Sequence, residues 1–168
     1  MPYFSREFVV CLILSAALVY ACLFVGVWQG QLAPPEEVKR TVEDVEKLRE
    51  QASFTFIFLN NYEHALIAVI PLFGAVQHGF VQFNTGYVIG ALAANGKTSG
   101  FALAAMLLAM PHGLCEYMAY TFAVAESLAL TYAAAKRRFR ERLRQAWKTI
   151  MLVGVLLAAA AALELPYV

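Results

Sequence analysis

The chain has 168 residues, 61% hydrophobic and 15% charged, with a net charge of +1. Soluble domains average roughly 45–50% apolar and about 25% charged residues, and a chain this short cannot bury the excess because its surface-to-volume ratio is high. Composition, with a mean hydropathy of +0.61, therefore excludes a soluble enzyme, a disordered chain and a nucleic-acid-binding domain. It specifies an integral membrane protein of several spans whose first partner is the lipid bilayer.

The charges are segregated. Residues 8–35 carry none, six acidic and four basic residues lie between Glu36 and Glu50, and seven of the thirteen basic residues lie between Lys136 and Lys148. Such blocks mark membrane topology. Cys11, Cys22 and Cys115 all lie in apolar stretches. An odd count at such positions reads as small core residues, not as disulfides.

In chain order, residues 8–28 form an uncharged run long enough to cross the roughly 30 Å hydrocarbon core, with Trp28 at an interface. The run exceeds a signal-peptide apolar region and no A-x-A site follows it, so it is expected to be retained. Residues 34–52 then predict an amphipathic helix beside the membrane. Pro34 and Pro35 open it, Val38, Val42, Val45 and Leu48 form one stripe, and Glu36/Arg40 and Glu43/Lys47 are spaced for i,i+4 pairs. The stripe serves either a partner or the protein's own surface.

Residues 54–95 are apolar but interrupted at Asn60-Asn61, Pro71, Gly74, Gln77-His78-Gly79 and Asn84-Thr85-Gly86. As one helix they would reach about 63 Å, twice the core thickness. One crossing, a turn near Gln77–Asn84 and a second, full-length or re-entrant helix are expected. Asn95 to Gly100 reads as a further turn. Pro111 and Gly113 split the next apolar stretch, and Leu114–Ala135 spans alone. Residues 136–148 form a basic loop with Phe139, Leu143 and Trp147 at i, i+4 and i+8, and residues 149–166 form the last span.

The positive-inside rule makes 136–148 cytoplasmic and the C-terminus external. Five crossings put the N-terminus inside, and six put it outside. The basic block either reports topology alone or also binds an anionic inner leaflet. Gly26/Gly30 and Gly86/Gly90 have G-x-x-x-G spacing, which brings helix backbones close, in a homo-oligomer such as a dimer or within one chain.

Ionisable and amide groups at membrane depth are costly and seek partners. The candidates for a polar membrane core are Asn60, Asn61, His78, Asn84, His112, Glu116 and Glu126, with Glu63, His64 and Gln77 also at that depth. His112 and Glu116 lie about 40° apart on a helical wheel, with Ala119, Ala123 and Glu126 close to the same face. Pro111 suits the first turn of that helix. The face serves a structural network with an amide such as Asn84, a proton or ion path through Glu116 and Glu126, or a metal site using His112, Glu116 and His78 or His64. No H-E-x-x-H and no nucleophile motif is present, so no catalytic residue, metal or cofactor is assigned.

Three stretches carry a likeness to a known family: Phe58-Leu59-Asn60-Asn61, Phe83-Asn84-Thr85-Gly86-Tyr87-Val88-Ile89-Gly90-Ala91, and Met110-Pro111-His112-Gly113-Leu114-Cys115-Glu116-Tyr117-Met118-Ala119. In this order they resemble the stage II sporulation protein M family of small integral membrane proteins. The resemblance implies an all-helical polytopic fold of about five spans with the N-terminus inside. It also implies a scaffold in a complex whose partners degrade septal peptidoglycan. It marks Asn61, Asn84, Gly86, Gly90, Pro111, His112, Gly113 and Glu116, with Gly86, Gly90, Pro111 and Gly113 as helix-packing positions. Thr85 separates an Asn-Gly pair often adjacent in that family, and Glu126 stands where small residues are usual.

The resulting expectation is one all-α membrane domain, a transmembrane helical bundle of about five spans with a broken or re-entrant helix pair around residues 77–100. It sits in the cell membrane as a non-enzymatic scaffold or membrane-organising subunit, in a homo-oligomer or a membrane-protein complex. The alternative is a small transporter or channel lined by His78, Asn84, His112, Glu116 and Glu126. An intramembrane metalloenzyme comes third.

Overall fold

The computed structural model describes residues 4–165. Residue 166, the expected end of the last span, lies outside them. Among the described residues there are seven helices and no strand: α1 Arg6–Gln31, α2 Pro35–Glu50, α3 Phe54–Ala68, α4 Phe73–Asn95, α5 Gly100–Ala109, α6 Pro111–Ala135 and α7 Phe139–Glu164.

The helix ends follow local chemistry. Ser5, Ser53 and Ser99 cap α1, α3 and α5 by accepting backbone N–H bonds. Prolines occupy the first turns of α2 and α6, where a missing N–H costs nothing. Leu72, Lys97 and Arg137 take positive φ angles of 63°, 52° and 58° at the breaks after α3, α4 and α6. Non-glycine residues enter that region only when the flanking structure compels it.

The most extensive helix contact joins α1 to α4. A Cβ on Gly26 would stand 2.9 Å from the Tyr87 nitrogen, and one on Gly86 would stand 2.9 Å from the Val27 nitrogen. Gly30 and Gly90 likewise abut the Tyr87 and Val27 carbonyls. Four glycines thus let two parallel backbones touch, within one chain.

α6 runs antiparallel to α1. Ser15 Oγ donates to the Thr121 carbonyl at 2.8 Å, and Tyr20 stacks on Tyr117 with centroids 5.9 Å apart. α7 returns antiparallel to α6 and meets α3 where Gly154 faces the Tyr62 ring. The α3–α4 junction is tied to α6: Ser127 Oγ donates to the Ile70 carbonyl at 2.7 Å, and the Leu72 N–H donates to Thr131 Oγ1 at 2.8 Å. So α1, α4 and α7 point one way and α3 and α6 the other. The shared core is small-residue rich, with Ala65, Ala68, Ala104, Ala119 and Ala123 fully buried beside Val19, Leu23 and Leu157.

α2 and α5 lie at the end where α1 and α4 finish. Val38 is buried against α4, and Tyr87 donates to Glu37 at 2.6 Å. Gly100 N–H donates to Gln31 Oε1 at 2.9 Å.

Four sequence expectations are corrected. The turn expected at Gln77–Asn84 lies at Val69–Leu72, because Pro71 interrupts the helix while the amides downstream are accommodated within α4. The broken pair expected around 77–100 is instead α5–α6, bent by 88° at Met110, whose extended conformation is the one a following proline favours. Residues 136–148 are not a loop: the chain breaks only at 136–138, and Phe139 begins a 26-residue helix that carries the last span. On α2 the pairs formed are Lys39–Glu43 and Asp44–Lys47, not the two spaced for in the sequence. Among the described residues two helices, α1 and α7, suffice by length and composition to cross a membrane, and α5–α6 makes three if counted as one span. α3, with 15 residues, is too short for that criterion.

The α1–α4 contact makes a direct prediction. Gly86→Val should destabilise the protein by more than the ~1–3 kcal/mol of ordinary overpacking, because backbone blocks the new atoms. Gly96→Ala, where an added Cβ meets its first neighbour only at 3.5 Å, should be close to neutral. Unfolding in mixed micelles compares the two, and equal effects would refute the role of the contact.

Candidate functional site

The sequence motif Pro111-His112-Gly113-x-x-Glu116 is built by the α5–α6 bend. Pro111 starts α6, and a Cβ on Gly113 would collide with the Leu107 carbonyl of the preceding helix, so the sharp bend requires glycine there. The first turn of α6 then directs His112 and Glu116 inward. Leu114 and Met118 face out, 53% and 50% exposed.

The inward face opens on a cavity of about 370 Å³ between α3, α4, α6 and the end of α7. Asn60, Asn61, His64, Gln82, His112, Glu116, Tyr120 and Glu164 are among its walls. Glu116 accepts a hydrogen bond from Tyr120 O–H at 2.7 Å. The Tyr120 ring lies 4.5 Å from that of His78, which is fully buried, and His78 Nε2 is 3.0 Å from the Gln82 amide nitrogen. The network therefore runs from Glu116 through Tyr120 to His78 and Gln82. His64 Nδ1 and Gln82 Oε1 are buried without a protein partner. Groups of this kind take ordered water where space allows.

Of the predicted polar-core residues, Asn60, Asn61, His112 and Glu116 line this cavity, and His78 stands behind it. Two do not belong to it. Asn84 is exposed on α4 and does not pair with His112 or Glu116 as expected, because residues 83 and 87 of its helix turn are committed to the α1 contact. Glu126 lies ten residues further along α6, about 15 Å away along the helix axis. Among the described residues no group of three or more His, Cys, Asp or Glu side chains is placed to hold a metal ion.

Glu126 forms a second site with a partner that sequence reasoning missed. It is fully buried and accepts from Arg142 Nε at 2.7 Å, from Arg142 Nη2, and from Thr149 Oγ1 at 2.5 Å. The Arg142 guanidinium also lies 4.1 Å over the Phe8 ring. One ion pair thus clamps α6, α7 and the start of α1. The available signal was hairpin symmetry, since folding about residues 136–138 brings residue 149 level with 126. Arg142 was hidden among seven basic residues read as a topology signal. Tyr120, Gln82 and Glu164 were missed because a tyrosine, an amide and a helix-end carboxylate each look unremarkable in isolation.

The stage II sporulation protein M family matches the chain over residues 8–165. The chain belongs to that family. No curated protein and no solved structure matches it. Against this family's pattern, Pro111, His112, Gly113 and Glu116 build the bend and the cavity. Gly86 and Gly90 belong to the glycine contact, which this member makes inside one chain.

Removing one partner of a buried ion pair leaves an uncompensated charge, at a cost of about 3–5 kcal/mol. Arg142→Met should therefore destabilise this family member by about that amount. Adding Glu126→Leu should recover most of the loss, because a matched apolar pair is often as stable as the ionic one. A double-mutant cycle in detergent unfolding measures this. A double variant as unstable as the single would show that the charge is not the cause.

Proposed function

We propose that the protein is a non-enzymatic membrane scaffold or membrane-organising subunit whose buried polar groups fix the positions of its helices. The observation that carries this reading is the state of Glu126. Its carboxylate is saturated by Arg142 and Thr149. Between it and the Glu116 cavity, the buried face of α6 holds Ala119, Ala123 and Val124, all fully buried. A relay through Glu116 and Glu126 would have to cross that layer, where the hydroxyls of Ser15 and Thr121 are committed to backbone carbonyls, and desolvation there opposes ion passage.

The runner-up is a small transporter or channel, favoured by the polar cavity itself. Proteoliposomes separate the two. Purified protein should dissipate an imposed pH or K⁺ gradient no faster than empty vesicles, and Glu116→Gln should change nothing. Saturable flux that Glu116→Gln abolishes would overturn the scaffold reading.

We further propose five crossings, by α1, α3, α4, α6 and α7, with residues 136–148 cytoplasmic and both α2 and the C-terminus outside. What supports this is the gathering of basic groups at one end. Glu7, at the start of α1, pairs with Arg138 at 3.9 Å, so the N-terminal end of α1 and the 136–148 segment share a side. The G-x-x-x-G surfaces are occupied within the chain, so partners, including a second copy, would dock elsewhere, α2 being the most exposed helix. A reporter active only outside the cytoplasm should be active when fused after residue 168 and silent when inserted at 137. The reverse pattern would invert the topology.

A further inference from the structure

At the Arg6 end of the bundle the seam between α1 and α6 is open. The opening is a groove of about 570 Å³ with Val10, Leu14, Leu128 and Ala135 along its walls and Cys11, 8% exposed, in its floor. Its edges are apolar and outward-facing, Val10 at 50% and Leu14 at 56% exposure. The depth at which it begins is set by charge. Arg6 lines its mouth, and Lys136 Nζ lies 5.7 Å from the centroid of Tyr132, another wall residue. Glu7 also reaches the mouth, but its carboxylate is turned to Arg138. The neighbouring Arg142 is committed to Glu126. Among the described residues neither Arg6 nor Lys136 forms an ion pair with a carboxylate.

We propose that this groove is a binding site for one anionic glycerophospholipid, with an acyl chain in the α1–α6 seam and the phosphate between Arg6 and Lys136. The two chemistries are arranged as such a lipid needs them, an apolar slot running into the bundle and cations where it meets the headgroup layer. Charge complementarity selects an anionic headgroup over a zwitterionic one. A cation near a membrane surface contributes about fivefold in affinity, so two give roughly 25-fold. The inference is independent of the scaffold reading and of sidedness.

Native mass spectrometry of the full-length protein, exchanged from detergent into mixed micelles of phosphatidylglycerol or phosphatidylcholine, tests it. The wild type should retain one phosphatidylglycerol through delipidation, with a preference of at least tenfold over phosphatidylcholine. Arg6→Gln with Lys136→Gln should bring the preference close to parity. Arg140→Gln with Arg144→Gln, two exposed cations on α7 away from the groove, should preserve it. Ala135→Phe and, independently, Val10→Trp should fill the slot and abolish retention of either lipid, with melting curves confirming that each variant folds. Equal retention of both lipids by the wild type would overturn the proposal. So would loss of preference with the α7 pair, retention by both filled variants, or a lipid-free dimer dissociated by the filling substitutions.

Discussion

Two helix backbones in direct contact hold this molecule together. In hydrocarbon there is no hydrophobic drive to bring helices together, because lipid tails are as apolar as leucine. Association has to come from close packing and from polar groups that prefer each other to lipid. Gly26, Gly30, Gly86 and Gly90 remove the side chains that would separate α1 from α4, so dispersion acts at the shortest range two helices allow. Everything on α4 is thereby placed. His78 and Gln82 are turned toward α6, Tyr87 toward α2, and Asn84 away from the polar cavity.

The remaining bundle is positioned from its two ends by different polar devices. At one end the Glu126–Arg142 pair, with Thr149 and the Phe8 ring, joins three helices. Losing either partner would strand a buried charge, so the pair ties these three helices together. At the other end, the bend at Met110 opens a space walled by amides, histidines and carboxylates. Between them the buried face of α6 carries Ala119, Ala123 and Val124, with Ser15 of α1 bonded to the Thr121 carbonyl. The polar groups of α6 thus form two separate clusters on one helix, one around Glu116 and one around Glu126.

How far the site was legible depended on the range of the interaction. Pro111, Gly113 and the His112–Glu116 pair were visible because their meaning is local: a proline at a helix start, a glycine at a bend, and two side chains one turn apart. The break near Pro71 was misplaced at Gln77–Asn84 because amides at membrane depth look like a turn until their partners are known. In the structure His78 Nε2 and the Gln82 amide nitrogen pair across one helical turn inside a continuous α4. Glu126 was grouped with Glu116 because both fall near the same face. Only its ion pair shows that they belong to different sites.

By itself the sequence determined the class: a helical membrane protein, the apolar segments that build it, the charge blocks that flank them, and the Pro-His-Gly bend. Each of these depends on residues within a few positions of one another or on composition summed over a span. Tertiary structure alone decided which glycine pair met which, that Arg142 leaves the basic block to neutralise Glu126, and that Asn84 stands outside while Gln82 stands within. Those choices pit one long-range contact against another, and their outcome depends on how helices far apart in the chain are rotated and set in register, information that no local spacing carries.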